Sequence, residues 1–110
     1  MIPLGGGALD GVRLWRPRTN DVFTQRAQVV LGSSRALGFD TPAPGSSAGE
    51  LFSQDAIGHD GFTGTSAWAD LSRDLIVVCL TNRVHPSRDD DRIDPFRRAL
   101  HDLVVRSIGD

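Results

Sequence analysis

The pattern of apolar and polar positions predicts two adjacent strands in the second half of the chain. Residues 75–80, LIVVCL, form an unbroken apolar run that is rich in β-branched side chains and too short for a typical helix. Such a run is typical of a central strand that is covered on both faces. In residues 62–69, FTGTSAWA, aromatic and hydroxyl-bearing side chains stand at strand-like positions, and residues 70–73 form a turn between the two runs. The sequence therefore predicts an antiparallel hairpin.

Weaker patterns predict two further elements in the first half of the chain. Pro17 suits the first turn of a helix because proline has no N–H group to leave unpaired. A short helix over residues 17–26 would use Val22 and Phe23 as its apolar contacts. Residues 35–40, RALGFD, predict a short strand that contains a glycine.

A longer helix is predicted at the C-terminal end. Asp94 is a suitable N-cap and the proline that follows it suits the first helical position, so the helix runs over residues 95–108. Its apolar face, spaced at three and four residues, consists of Phe96, Leu100, Leu103, Val104 and Ser107. Three charged side chains lie away from that face: Arg97, Arg98 and Asp102.

These elements predict one α+β domain. Residues 41–49, TPAPGSSAG, indicate an exposed loop inside that domain rather than a linker, because neither flank is large enough to hold its own core. The expected architecture is an antiparallel sheet of about three strands with the C-terminal helix packed on one face.

Composition narrows the range of functions. The chain has 110 residues and a net charge of −2, so it shows no electrostatic footprint for nucleic acid. Its apolar runs are far shorter than the roughly 20 residues that span a bilayer, and its start lacks the features of a secretory signal. A single cysteine excludes an intrachain disulfide, and no histidines or acidic residues show the spacing of metal ligands. We therefore expect neither a metal nor a cofactor; the compartment is left open.

The segment 58–66, GHDGFTGTS, carries the most informative chemistry. Two glycines flank His59 and Asp60 just before the predicted hairpin. Glycine at the start of a strand lets a ligand approach the backbone, and such an edge can aim an N–H group at a developing oxyanion. His59 could donate a hydrogen bond or move a proton near neutral pH. The same spacing also fits a tight turn with an exposed histidine.

The remaining conspicuous side chains have simpler structural interpretations. Cys79 lies in the apolar strand and is expected to be a small core residue. Trp68 and Phe62 are more typical of core or sheet-face packing than of a substrate platform. His85 is expected in a loop and His101 on the surface of the C-terminal helix.

Several stretches together resemble the C-terminal part of serine β-lactamase-related hydrolases. This family of penicillin-binding-protein-like enzymes includes class C β-lactamases, DD-peptidases and related esterases. The stretches are 59–66 (HDGFTGTS) with Trp68, 74–86 (DLIVVCLTNRVHP), 93–101 (IDPFRRALH), 6–14 (GGALDGVRL) and 36–39 (ALGF).

The resemblance implies that residues 1–110 are the C-terminal portion of one β-lactamase-like domain. In this family a serine and a lysine in a Ser-x-x-Lys element and a Tyr-x-Asn-type element carry the chemistry. The chain contains neither lysine nor tyrosine. The implied partner is therefore the missing N-terminal portion of the same fold, and the implied activity of the whole protein is acyl-enzyme hydrolysis of a small ester, amide or β-lactam. The chain alone is expected to be inactive.

The resemblance also implies roles for the histidine segment. His59, Asp60 and Gly61 stand where the family has Lys-Thr-Gly, or often His-Thr-Gly. His59 would contact the substrate or support proton transfer, the N–H of Phe62 would be an oxyanion donor, and Asp60, Gly61 and Thr63 would bind substrate. Asp60 departs from the commoner threonine; it could pair with His59 and would repel an anionic substrate, which favours neutral esters or amides. The alternative is a non-catalytic, truncated relative that acts as a binding module through an exposed sheet edge.

Overall fold

A three-stranded antiparallel sheet and a C-terminal helix frame the candidate site. The computed structural model describes residues 2–109. After a 3₁₀ turn at Ile2–Gly5, the elements are β1 (Ala8–Leu9), β2 (Val12–Arg13), α1 (Pro17–Thr24), β3 (Ala56–Asp60), β4 (Ser66–Asp70), β5 (Leu75–Cys79) and α2 (Ile93–Ile108). Strands β1 and β2 form a separate small sheet. The α+β expectation is confirmed. Within residues 2–109, no helix is long and apolar enough to cross a membrane.

The main sheet contains one strand that the sequence analysis missed. Its order is β3-β4-β5, and all neighbours are antiparallel. The predicted hairpin is confirmed as β4 and β5, but β4 begins at Ser66 because residues 61–65 form the turn that follows β3. Gly61 N–H donates to Thr65 O at 2.7 Å, and Gly64 adopts a φ of +113° that favours glycine. The candidate segment therefore lies across the end of a strand and a turn.

Strand β5 lies at the edge of the sheet, so the expectation of a central strand covered on both faces is wrong. Val77 and Cys79 point into the core and are buried, which confirms the core assignment of Cys79. Ile76 and Val78 alternate with them and remain exposed, Val78 at 60%. The apolar run thus contains one buried face and one exposed apolar face.

The core lies between the sheet and α2, and Trp68 is at its centre. Its side chain is 1% exposed, which confirms the expected core position. The indole stacks on Phe52 with ring centroids 6.1 Å apart. The other buried members of this core are Ala48, Ala56, Val77 and Val105.

Helix α2 is rotated relative to its predicted apolar face, of which Val104 still packs against the core. Arg97, His101 and Val105 are buried, whereas Phe96 and Leu103 are about half exposed or more. The expectations that Arg97 faces away and that His101 lies on the surface are therefore wrong. Polar contacts explain the rotation, since Arg97 and His101 bond to main-chain groups of neighbouring loops, as described below.

The loop at residues 41–49 is likewise not the exposed segment that was expected. Ala48 and Gly49 are buried against α2. Asp102 on α2 accepts the N–H groups of Glu50 at 2.8 Å and Leu51 at 3.0 Å, so the loop is bonded to the helix. A Cβ at Gly49 would lie 3.0 Å from the carbonyl oxygen of Arg98 and closer still to Asp102, which explains the glycine.

The N-terminal half corrects two details. Helix α1 is confirmed, but Val22 and Phe23 are about half exposed, and its buried side chain is Asn20. Asn20 accepts a hydrogen bond from the Trp15 indole at 3.0 Å. Residues 35–40 form a turn rather than a strand. An isolated bridge between the first and last residues of this segment closes the turn, and the chain reverses at Gly38, which has a φ of +86°.

Candidate functional site

The candidate site lies where β3 ends and the turn to β4 begins. His59 is the fourth residue of β3 and is exposed on the face opposite the core. Phe62 and Thr63 are exposed in the turn, and Gly61 is half-buried between them and the strand. The structure thus brings the predicted site residues together at one corner of the sheet.

The outer edge of β3 is open next to His59. Asp40 pairs with Gly58 through both main-chain hydrogen bonds, at 2.7 and 3.0 Å. This bridge is isolated, so among the described strands nothing continues it towards His59. A hollow of about 290 Å³ lies here, lined by Arg35, Asp40, His59, Asp60 and Trp68. Arg35 and Asp40 were not identified from the sequence, because only the reversal at residues 35–40 brings them to this edge.

Asp60 points away from His59, so the expected pair between them is wrong. Successive side chains of a strand alternate between its faces. The Asp60 carboxylate turns towards α2, where it accepts the Ser47 hydroxyl at 2.9 Å and lies 3.7 Å from the Arg97 guanidinium. The charge of Asp60 is therefore offset by Arg97 on the core side of the sheet.

Arg97 binds the carbonyl groups of the first and last residues of the turn. Its Nη2 donates to Gly61 O at 2.9 Å and to Thr65 O at 2.8 Å. The side chain rises from α2 and is almost completely buried. In the sequence, Arg97 is spaced four residues from His101 and eight from Val105, which places the three on one helical face. An analysis based on apolar periodicity cannot use this spacing, because it treats arginine as a surface residue.

Arg83 binds the carbonyl groups of the two residues that follow Gly61. Its Nε donates to Phe62 O at 2.9 Å, and its main-chain N–H donates to Thr63 O at 2.8 Å. The guanidinium also lies over the Phe62 ring, 4.7 Å from the centroid. Phe62 is nevertheless 64% exposed, so the expectation that it packs in the core is wrong.

A buried polar network supports the core side of β3. The Trp68 indole donates to Ser47 Oγ at 3.1 Å, and Ser47 Oγ donates to Asp60. His101 Nδ1 lies 2.6 Å from the carbonyl oxygen of Ser47. Serine, histidine and aspartate are neighbours here, but the imidazole meets the Ser47 main chain rather than its hydroxyl. The network therefore lacks the serine–base hydrogen bond of a nucleophile and instead fixes the strand.

Burial determines the protonation state of His101. Desolvation lowers the pKa of its imidazole below 6.5. The Ser47 carbonyl and the carboxylates of Asp60 and Asp102 act in the opposite direction, Arg97 adds to the lowering, and burial dominates. His101 is therefore neutral in the folded protein at pH 7. Its Nδ1 carries the proton and donates to Ser47 O.

We expect the free energy of unfolding to fall as the pH drops below about 6.5. In the unfolded chain the His101 imidazole is protonated with an ordinary pKa, whereas in the folded chain its pKa is lower. Between these two pKa values the unfolded state therefore binds more protons than the folded state. The loss is at most about 1.4 kcal/mol per pH unit for this one group, and above pH 6.5 its contribution is nearly constant. Urea unfolding between pH 7.5 and 5 measures it, with His101→Asn and, as a control, His85→Asn.

The His101→Asn variant should lose this pH dependence, whereas His85→Asn should retain it because His85 is exposed in its loop, as predicted. Asp70 does not interfere. Burial raises the pKa of its carboxyl, but hydrogen bonds from Ser53 and Arg73 outweigh burial and bring the pKa below 3.8. Its contribution is present above pH 4 and is lost only in stronger acid. An equal slope in the wild type and His101→Asn would contradict the assignment.

Across residues 2–109, the structure places no three His, Cys, Asp or Glu side chains close enough together to hold a metal ion. The groups that the corner exposes are the His59 imidazole, the Phe62 residue and the Thr63 side chain.

A family model described as beta-lactamase matches residues 3–102, which is nearly the whole chain and includes the complete corner at His59–Thr65. No curated protein matches the chain.

Proposed function

The chain belongs to the beta-lactamase family, and from this premise we propose that it supplies one wall of the acyl site of a serine hydrolase. In the proposed reaction a serine attacks the carbonyl carbon of an ester, amide or β-lactam, the leaving group departs, and water then hydrolyses the acyl-enzyme. The observation that carries the proposal is the corner itself. His59 at the end of β3 and Phe62 in the following turn are both exposed, and the turn is held by Arg83 and Arg97.

Each residue of the corner has a role in this proposal. The N–H of Phe62 donates to the oxyanion that develops on the substrate carbonyl, an interaction worth about 3–4 kcal/mol in enzymes of this kind. His59 contacts the substrate or moves a proton at the acyl centre. Gly61 leaves the strand edge free of a side chain; within the turn, a Cβ there would also overlap Thr65 Oγ1. Thr63 offers an exposed hydroxyl next to the donor.

We place the nucleophile on a further portion of the same fold. The chain has no lysine and no tyrosine, so a Ser-x-x-Lys element and a Tyr-x-Asn-type element must come from outside these 110 residues. Exposed apolar side chains on β5 and α2 support this arrangement. Val78 and Leu103 are 60% and 61% exposed, and such positions are normally covered by a packed neighbour.

The substrate class stays as broad as ester, amide or β-lactam. Asp60 was expected to repel anionic substrates, but its carboxylate faces Ser47 and Arg97 rather than the exposed side of β3. The physical ground for preferring neutral substrates is therefore lost. A panel that contains a neutral p-nitrophenyl ester and an anionic chromogenic cephalosporin would measure the preference.

The proposal predicts that the complete protein depends on His59. The reading frame upstream of Met1 is sequenced and expressed together with this chain, and hydrolysis of both substrates is measured. We expect the extended frame to contain Ser-x-x-Lys, and His59→Ala to lower kcat/KM by about 10²-fold or more, as for removal of a proton-transfer group. His85→Ala, in the exposed loop, is the matched control and should retain activity.

Two results would contradict this proposal. One is a complete enzyme in which His59→Ala and His85→Ala are equally active. The other is a stop codon directly upstream of Met1 with no second portion encoded nearby, which would leave the chain as a non-catalytic binding module.

A further inference from the structure

We propose that Arg97 is a positioning residue that aims and strengthens the Phe62 N–H group as an oxyanion donor. The inference deepens the proposed function and rests on it. It concerns the peptide group between Gly61 and Phe62, whose carbonyl belongs to Gly61 and whose N–H belongs to Phe62. Arg97 bonds the carbonyl end of this peptide group.

The cost of burying Arg97 indicates that the contact is specific. The residue is 4% exposed, and a buried charge is destabilising unless it is paired and hydrogen-bonded. Its Nη2 reaches both Gly61 O and Thr65 O, while its Nε is buried with no hydrogen-bond partner among the described residues. The position of the guanidinium is therefore determined by its hydrogen bonds to the two turn carbonyls, even though its Nε–H has no acceptor there.

The carboxylate of Asp60 keeps the guanidinium in this place. Arg97 Nη1 lies 3.7 Å from Asp60 and 3.8 Å from Asp94. Asp60 is fixed in turn by the Ser47 hydroxyl, which also accepts from the Trp68 indole. The orientation of Arg97 is thus set by the core and does not depend on a ligand.

Peptide geometry links this contact to the donor. A trans peptide group is planar, and its C=O and N–H bonds point in opposite directions. Because Arg97 holds Gly61 O from the α2 side, the Phe62 N–H is directed away from α2. A second anchor on the next peptide, Arg83 Nε to Phe62 O, prevents rotation about the Phe62 Cα. The donor is therefore oriented before substrate binds, which is the condition for effective oxyanion stabilisation.

The charge of Arg97 also acts on the strength of the donor. A charge-assisted hydrogen bond to a carbonyl polarises the whole peptide group, and polarised groups in a chain of hydrogen bonds strengthen one another. A cation on Gly61 O thus makes the Phe62 N–H more positive. A neutral side chain of the same size could fill the space but would not have this effect.

The test compares Arg97→Met and Arg97→Lys with Arg106→Met, an exposed arginine on the same helix. In the 110-residue chain, the amide shift of Phe62 and the carbonyl shift of Gly61 are measured by NMR, and folding is checked by urea unfolding. We expect Arg97→Met to move both shifts well beyond the Arg106→Met control, with Arg97→Lys between them, since a lysine keeps the charge but not the fork. Arg97→Lys carries the test if Arg97→Met does not fold.

In the complete enzyme, we expect Arg97→Met to lower kcat by about 10²–10³-fold while KM changes little, as for loss of one oxyanion donor. A purely structural arginine would change stability without this split between kcat and KM. The inference is overturned if the Phe62 and Gly61 shifts match those of Arg106→Met, or if they move and kcat does not. A different result is that the shifts move but the activity of the complete enzyme does not depend on His59. The proposed function then fails, and the inference about catalysis fails with it. The hydrogen bonds between Arg97 and the turn carbonyls would still be confirmed.

Discussion

Replacing Gly58 by alanine is expected to unfold the protein or to destabilise it by at least about 3 kcal/mol. A Cβ at this position would lie 2.5 Å from Trp68 Cγ and 2.6 Å from Cε2, with Cδ2 nearer still. The indole cannot move aside, because it stacks on Phe52 and its N–H is bonded to Ser47. The backbone of β3 cannot move either, because Gly58 is paired with a strand on one side and with Asp40 on the other.

Thermal and urea unfolding followed by far-UV circular dichroism measures this effect. Gly5→Ala is the matched control: nothing lies within 4 Å of a Cβ there, and we expect a change within about 0.5 kcal/mol. The double variant Gly58→Ala with Trp68→Leu separates the clash from other effects, since a smaller side chain makes room for the methyl group. If Gly58→Ala alone were within about 1 kcal/mol of the wild type, the packing of the indole on the strand would be wrong.

This packing also explains why β3 escaped the sequence analysis. The strand reads AIGHD, and only its first two side chains are apolar. Glycine and aspartate are depleted in strands, so the pattern looks like a turn. Glycine is needed here because a large ring lies against the backbone, and that requirement is set by Trp68, which is ten residues further along the chain. Local propensity cannot reveal a tertiary contact of this kind.

Helix α2 shows the opposite error. Its existence and its end could be predicted, because they depend on local periodicity and on a glycine stop. Its start could not: the helix begins at Ile93, so Asp94 lies in the first turn and is not the N-cap. Its orientation could not, because it is fixed by Arg97 on the turn carbonyls and Asp102 on the N–H groups of the loop. Buried charged groups that find main-chain partners thus outweigh an apolar stripe, and hydrophobic periodicity assigns them to the wrong face.

The candidate site follows the same division. His59, Gly61 and Phe62 are neighbours in sequence, so their proximity could be predicted from the resemblance. Arg83 and Arg97, which hold the turn, are separated from it by 21 and 36 residues. The sequence analysis therefore identified the exposed groups of the site but missed the two arginines that hold the turn in place.

The 110-residue chain by itself is expected to catalyse no hydrolysis of esters or β-lactams above background. Nucleophilic catalysis needs a hydroxyl next to a base, and the serines nearest the corner are not arranged in this way. Ser47 donates to Asp60, Ser34 donates to Asp40 at 2.6 Å, and Ser66 is buried. Removal of a complete nucleophile and base typically lowers kcat by about 10⁶-fold, which is the difference we expect from the complete enzyme.

The assay uses purified chain, an activated p-nitrophenyl ester and a chromogenic cephalosporin, each over a wide concentration range. An exposed imidazole cleaves activated esters slowly, so a rate that rises linearly with substrate and protein counts as background. Unfolded chain of the same concentration is the control for that background. Saturable turnover that is lost in His59→Ala would overturn the expectation, because the chain would then hold a nucleophile of its own. The expected result is no turnover by the chain alone and His59-dependent turnover by the complete enzyme. Together, these two results would place the nucleophile outside these 110 residues and the His59 side of the acyl site within them.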